Sequence, residues 1–110
     1  MDFKEYQEKA ATTAKYPEDQ RWFYLVAGLA SEAGEVADKF KKIVRDQDWN
    51  DETLFENKDA IKAELGDVLW YVSNLARELG VDLEDVAEGN IEKLFSRVKR
   101  DKIGGSGDNR

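Results

Sequence analysis

A chain of 110 residues holds one compact domain and no second. Its 17 Lys and Arg against 24 Asp and Glu give a net charge of −7, which argues against a nucleic acid or an anionic membrane as partner but not against a single nucleotide, since a bound divalent metal reverses the local sign. The chain has no Cys and no His, so disulfides, thiol nucleophiles, the usual zinc hydrolase sites and Ser-His triads are excluded.

One Pro and 37% charged residues predict long helices. A first helix is expected over about residues 2–14, burying Phe3, Tyr6, Ala10 and Ala14. Pro17, in Tyr16-Pro-Glu-Asp, separates it from the second helix. From about residue 20 to 45, Trp22, Leu25, Val26, Leu29, Ala33, Val36, Ala37, Phe40, Ile43 and Val44 recur at helical spacing, the mark of an amphipathic helix. The polar stretch Asp46 to Asn57 reads as a loop. Asp46, Asp48 and Asn50 imitate the start of a calcium-binding loop, but Asp51 stands where Gly is required and Asn57 where Glu is required. A third helix is expected over about residues 58–79, burying Ile61, Leu65, Val68, Leu69, Val72, Leu75, Ala76 and Leu79. Gly80 ends it in a left-handed turn, and Asp82 with Asp85 caps a last helix that carries Leu83, Val86, Ala87, Ile91, Leu94, Phe95 and Val98. The expected fold is therefore all-α: a four-helix domain over residues 1–103, with the two longest helices antiparallel, and a Gly/Ser-rich tail over 104–110. With no basic-then-apolar start and no apolar run near about 18 residues, a soluble, cytoplasmic protein is expected.

The chemistry falls on the two long helices. Glu32 and Glu35 are three apart and share a helix face, and Glu64 and Asp67 repeat the arrangement on the partner. Each pair has a Gly before its second carboxylate, in Glu32-Ala-Gly34-Glu35 and Glu64-Leu-Gly66-Asp67. With 24 acidic residues, chance alone supplies about five such pairs, and most are solvated faces. Helical angle sets these two apart: they lie roughly 60–140° to one side of their apolar stripes, bordering the seam instead of pointing straight out. Antiparallel packing would converge all four on one groove, where they repel unless a cation or protons are bound. Oxygen donors without His or Cys suit Mg²⁺ or Mn²⁺.

These blocks resemble the MazG-like, all-α nucleoside triphosphate pyrophosphohydrolases. The likeness runs from about Trp22 to Arg97. It rests on Leu29-Ala-Ser-Glu-Ala-Gly-Glu-Val-Ala-Asp-Lys39, on Ala63-Glu-Leu-Gly-Asp-Val-Leu-Trp-Tyr71 and on Asn90-Ile-Glu-Lys-Leu-Phe-Ser-Arg97. The resemblance implies hydrolysis of a (deoxy)nucleoside triphosphate between the α- and β-phosphates, giving monophosphate and pyrophosphate. It implies Mg²⁺, with Mn²⁺ as an alternative, held by Glu32, Glu35, Glu64 and Asp67. Without His, the general base is a carboxylate or a metal-bound hydroxide, with Glu32 and Glu35 both open as the catalytic group.

Lys39 is four residues after Glu35, placed either for ion pairing or for phosphate contact. Tyr71 faces the acidic flank as a candidate for sugar or base contact, while Trp70 is expected to point to the far side, against another subunit or the first helix. Asn90, Lys93 and Arg97 share a polar face of the last helix, and the resemblance makes them phosphate or sugar ligands. The tail is either disordered or folded over phosphates with Arg110 as a donor. The resemblance also implies a homodimer or homotetramer. Two rivals stand beside this reading: a non-enzymatic helical interaction module, and a related pyrophosphohydrolase acting on another nucleotide such as dUTP, dUDP or phosphoribosyl-ATP.

Overall fold

Asp2 starts the first helix, its carboxylate accepting the Glu5 backbone N–H at 2.8 Å. The structure, a computed structural model, describes residues 1–100 and 104–108. Helix α1 covers Phe3–Ala11, shorter than expected, because Thr12 and Thr13 turn their hydroxyls back onto the Lys9 and Ala10 carbonyls at 2.6 and 2.8 Å and so satisfy its last acceptors. A single 3₁₀ turn at Glu18–Gln20 comes after Pro17 and leads into α2, Arg21–Asp46.

The stretch expected to be loop contains a helix, α3, at Asp51–Glu56. Asn50 and Thr53 form a reciprocal capping box, the Thr53 N–H donating to Asn50 Oδ1 at 2.9 Å and the Asn50 N–H to Thr53 Oγ1 at 3.1 Å. A Thr in place of the usual Glu or Gln hides this signal in the sequence. Trp49 closes the turn against Phe40, ring centroids 5.8 Å apart. Helix α4 then covers Lys58–Glu78 and α5 covers Leu83–Lys99, making five helices among the described residues where four were expected.

Gly80 takes the expected left-handed turn at φ +74°, which lets the Val81 N–H reach the Ala76 carbonyl at 2.9 Å. Asp82 holds the cap position of α5 but makes no capping bond. Gln7 takes that role from α1. Its Oε1 accepts the Leu83 N–H at 3.1 Å while its Nε2 donates to the Val81 carbonyl at 3.1 Å and the Ser73 carbonyl at 3.4 Å.

Helices α2 and α4 form the central pair; α5 packs on α1 and α4 and not on α2. That arrangement leaves much of the expected core open. Leu25, Ile43, Ala76, Leu83 and Ala10 are buried, whereas Phe3, Trp22, Val26, Val44, Leu65, Leu79, Val86, Ile91, Phe95 and Val98 are exposed in the single chain. The radius of gyration, 16.9 Å, exceeds the roughly 13 Å of a compact chain this long. Among the described residues no helix is long and apolar enough to cross a membrane.

Candidate active site

Four cross-helix neighbours fix the register of α2 on α4. Arg21 meets Glu78, Gly28 meets Tyr71, Glu32 lies beside Asp67 and Lys39 meets Glu64. Numbers rising on α2 and falling on α4 mean that the pair is antiparallel, as expected. The acidic flanks of the two helices therefore converge. One carboxylate oxygen from each of Glu32, Glu64 and Asp67 lies within 4.8 Å of the others. Glu35 is outside this triad, exposed and one turn farther along α2.

The charges act on one another. Burial first, and then the nearby carboxylates of Asp67, Glu64 and Glu35, push the Glu32 carboxyl above its ordinary value. Lys39 Nζ lies 3.7 Å from Glu64 and partly offsets the cluster from one side, which is the ion-pairing role. Three hard oxygen donors this close, under mutual repulsion, are a donor set for a hard divalent cation. Gly34 and Gly66 have only open space where a side chain would project, so no described part of the chain approaches closely there.

The triad borders a cavity of about 410 Å³ lined by Glu32, Asp67, Tyr24, Trp70, Tyr71, Thr13 and Lys15. Tyr71 packs over Gly28, where a Cβ would overlap the edge of the ring. Burial, helped by the neighbouring Tyr24 hydroxyl and then by Glu32 and Asp67, pushes the Tyr71 phenol up to about 12. Trp70 meets the first-helix segment, one of its two expected contacts, and it also lines the cavity. Its ring meets Tyr71 edge-on at 4.9 Å, and its indole N–H donates to the Thr13 hydroxyl at 2.8 Å, which turns it into the cavity wall. Sequence reasoning missed Gly28, Tyr24, Thr13 and Lys15. Gly28 stands seven before Glu35, two helical turns away on the same side of α2, and that spacing is the one available signal.

The basic face of α5 is elsewhere. Among the described residues, none from α5 lines the cavity or adds to the charges felt by Glu32. Asn90 is exposed. Lys93 Nζ pairs with Asp108 at 3.1 Å, and Arg97, only 4% exposed, donates from Nη2 to the Asp108 carbonyl at 2.9 Å. Gly107 and Asp108 thus lie against α5, and Lys93 with Arg97 holds the Asp108 carboxyl below the usual range. Arg110 lies outside the described residues.

The chain is 48% identical to the Gene 37 protein of Mycobacterium phage L5 over 111 aligned positions, covering 96% of each. It is 37% identical over 99 positions to the uncharacterized protein YvdC of Bacillus subtilis (strain 168), covering 87% of this chain and 89% of that protein. No solved structure matches it. The profile of the MazG nucleotide pyrophosphohydrolase domain matches residues 21–100, the span of α2 through α5 that carries every carboxylate of the site, and the chain belongs to that family.

Proposed function

We propose that this protein hydrolyses a (deoxy)nucleoside triphosphate between its α- and β-phosphates, releasing a nucleoside monophosphate and pyrophosphate with Mg²⁺, or Mn²⁺ in its place. The observation that carries this reading is the carboxylate triad bordering an aromatic cavity in a chain of this family. Glu32, Glu64 and Asp67 would hold the ion, with Glu35 outside the triad. When bound, the ion supplies charge neutralisation and Lewis acidity toward the phosphates. Glu32 is committed to the triad, which leaves Glu35 to accept the proton of the attacking water. The water oxygen would bond in line to one phosphorus of the α–β anhydride as its bridging P–O bond breaks, and the departing pyrophosphate or monophosphate would take the electron pair.

The register supports one orientation of the substrate. Lys39 stands at one end of the triad and Tyr71 at the other, so phosphates run toward Lys39 and the nucleoside toward the Trp70–Tyr71 wall. Asn90, Lys93 and Arg97 would complete the phosphate site from a second copy, since α5 does not reach the cavity within one chain. The exposed Ile91, Phe95 and Val98 beside them would be covered by the same contact, giving a homodimer or a homotetramer of two dimers. Phosphorus NMR of the products from a panel of triphosphates, with Glu35→Gln alongside, tests the reaction. Monophosphate plus pyrophosphate that disappears in the variant supports it; diphosphate plus inorganic phosphate, or no turnover, overturns it.

A further inference from the structure

We infer that Tyr16, which lies outside the matched family domain, is a positioning residue for the nucleoside end of the site and acts through the aromatic wall it holds in place. The inference rests on the hydrolase reading above and assigns a role within that same site. Four aromatic rings stand in a row here. Tyr16 stacks on Tyr24 with centroids 5.4 Å apart, Tyr24 meets Tyr71 at 6.2 Å, and Tyr71 meets Trp70 at 4.9 Å. The row closes on itself. The Trp70 indole N–H donates to the Thr13 hydroxyl at 2.8 Å, and Thr13 and Tyr16 are three residues apart on the same connection between α1 and α2. Trp70, Tyr71, Tyr24 and Thr13 line the cavity, whereas Tyr16 is not among the described residues that do. Its influence on the cavity therefore passes through its neighbours.

A second set of contacts anchors Tyr16 itself. Its phenol donates to Glu78 at 2.6 Å and accepts from Arg77 Nη2 at 3.1 Å, and Arg21 holds Glu78 from α2 at 3.4 Å. Arg77 Nε donates to Asn74 Oδ1 at 3.3 Å, and the buried Asn74 amide donates to the Trp70 carbonyl at 3.1 Å. Tyr16 thus reaches the same tryptophan by two routes, its ring through stacked aromatics and its hydroxyl through hydrogen bonds. Side chains that would otherwise be ordered only when a ligand binds weaken its affinity by the freedom they lose, and a wall fixed beforehand avoids that loss. The opposite end of the site is built differently. The triad and Lys39 take their places from the register of α2 on α4 and not from the connection. Loss of Tyr16 should therefore weaken nucleoside binding and spare the phosphate end.

The test compares wild type with Tyr16→Leu, which removes ring and hydroxyl, and with Tyr16→Phe, which keeps the ring on Tyr24. KM and kcat are measured for the fastest triphosphate of the panel above. Calorimetry in Mg²⁺ gives Kd for two probes: the non-hydrolysable α,β-imido analogue of that nucleotide, and inorganic tripolyphosphate, which carries phosphates and no nucleoside. Hydrogen exchange of the Trp70 indole N–H is followed by NMR. Tyr16→Leu should raise KM and the analogue Kd about three- to tenfold, the range set by the loss of one aromatic pair. Its kcat and its tripolyphosphate Kd should stay within about twofold of wild type, the split expected when binding and not the chemical step is lost. The Trp70 indole should exchange faster, because the circuit of contacts is open. Tyr16→Phe should fall between wild type and Tyr16→Leu on each readout, and it decides on the same readouts if Tyr16→Leu does not fold. Equal weakening of analogue and tripolyphosphate would reduce Tyr16 to a support of the fold and overturn the inference, as would an unchanged analogue Kd or an unchanged indole exchange rate. These outcomes leave the hydrolase reading standing. A wild type that neither turns over nor binds any triphosphate of the panel overturns that reading and this inference with it.

Discussion

Gly28 and Tyr71 compete for one volume: a Cβ on Gly28 would overlap the edge of the Tyr71 ring. The glycine is the seat of the aromatic wall, and Tyr24, one helical turn before it on α2, lies beside the ring with 6.2 Å between centroids. Gly28→Ala should therefore cost about 1–3 kcal/mol by overpacking, and lower Tm by roughly 5–15 °C for a domain of this size. The double variant Gly28→Ala with Tyr71→Ala should lose less than the two single losses added together, because removing the ring makes room for the methyl group. Strict additivity in a thermal-melt cycle would show that the contact is not the cause.

The carboxylate triad predicts a stability cost that a metal relieves. Glu32 is pushed up by burial and by Asp67, Glu64 and Glu35. A carboxyl whose folded pKa exceeds its unfolded 4.5 contributes its stability below that value and loses it as pH rises through the folded value. Metal-free protein should accordingly lose part of its Tm between mild acid and pH 7, and added Mg²⁺ should restore it at pH 7 and have little effect near pH 4. Asp38 acts in the opposite sense, since Lys42 and Lys41 hold it down to about 2. Its stability is present above 3.8 and goes only as pH falls through the lower value, so it does not disturb the window above pH 4. Glu32→Gln should raise the metal-free Tm at pH 7 and abolish the Mg²⁺ shift. A variant that keeps the full Mg²⁺ shift would mean that the ion binds elsewhere.

The two long helices, their antiparallel pairing and the convergence of the acidic flanks were legible in the sequence, because each comes from a 3.6-residue period acting on many residues at once. What was hidden depended on single side chains crossing between elements. The α3 capping box uses Thr53 where the pattern expects Glu or Gln. The cap of α5 comes from Gln7, 76 positions away, and no local rule reaches that far. Helical angle brings Trp70 to the first-helix segment, where its indole meets Thr13, but does not reveal that the ring also walls the cavity. Ile91, Phe95 and Val98, apolar positions of the last helix, are exposed in the single chain, because periodicity reports that a face is apolar and not which molecule covers it.

Gln7 links three segments with one amide, so its loss should be felt well beyond α1. Gln7→Ala removes the bonds to the Ser73 and Val81 carbonyls and leaves the Leu83 N–H uncapped. The expected destabilisation is about 1–3 kcal/mol, given the usual cost of an unsatisfied, partly buried donor. Gln7→Glu keeps the acceptor for Leu83 but turns a second carboxylate oxygen toward two carbonyls, and should be at least as harmful at pH 7. Hydrogen exchange at the Leu83 amide reports the capping bond directly. Protection there in Gln7→Ala equal to wild type would remove Gln7 from the role.

The separation of the α5 basic face from the acidic triad makes the strongest prediction about assembly. If Lys93 and Arg97 serve the cavity of a second copy, Glu35→Gln and Lys93→Ala each inactivate a homomer through different halves of the same composite site. Random remixing of the two in a twofold assembly puts both defects into one site and leaves the other intact in each mixed dimer, so about a quarter of the wild-type sites should return. Two inactive proteins, unfolded together and refolded, should then regain activity that neither shows alone. If α5 acts within its own chain, every site carries one defect or the other and the mixture stays inactive. Light scattering on the wild type at micromolar concentration gives the companion measurement, and a clean monomer there would leave Ile91, Phe95 and Val98 uncovered and remove the basis for a shared site.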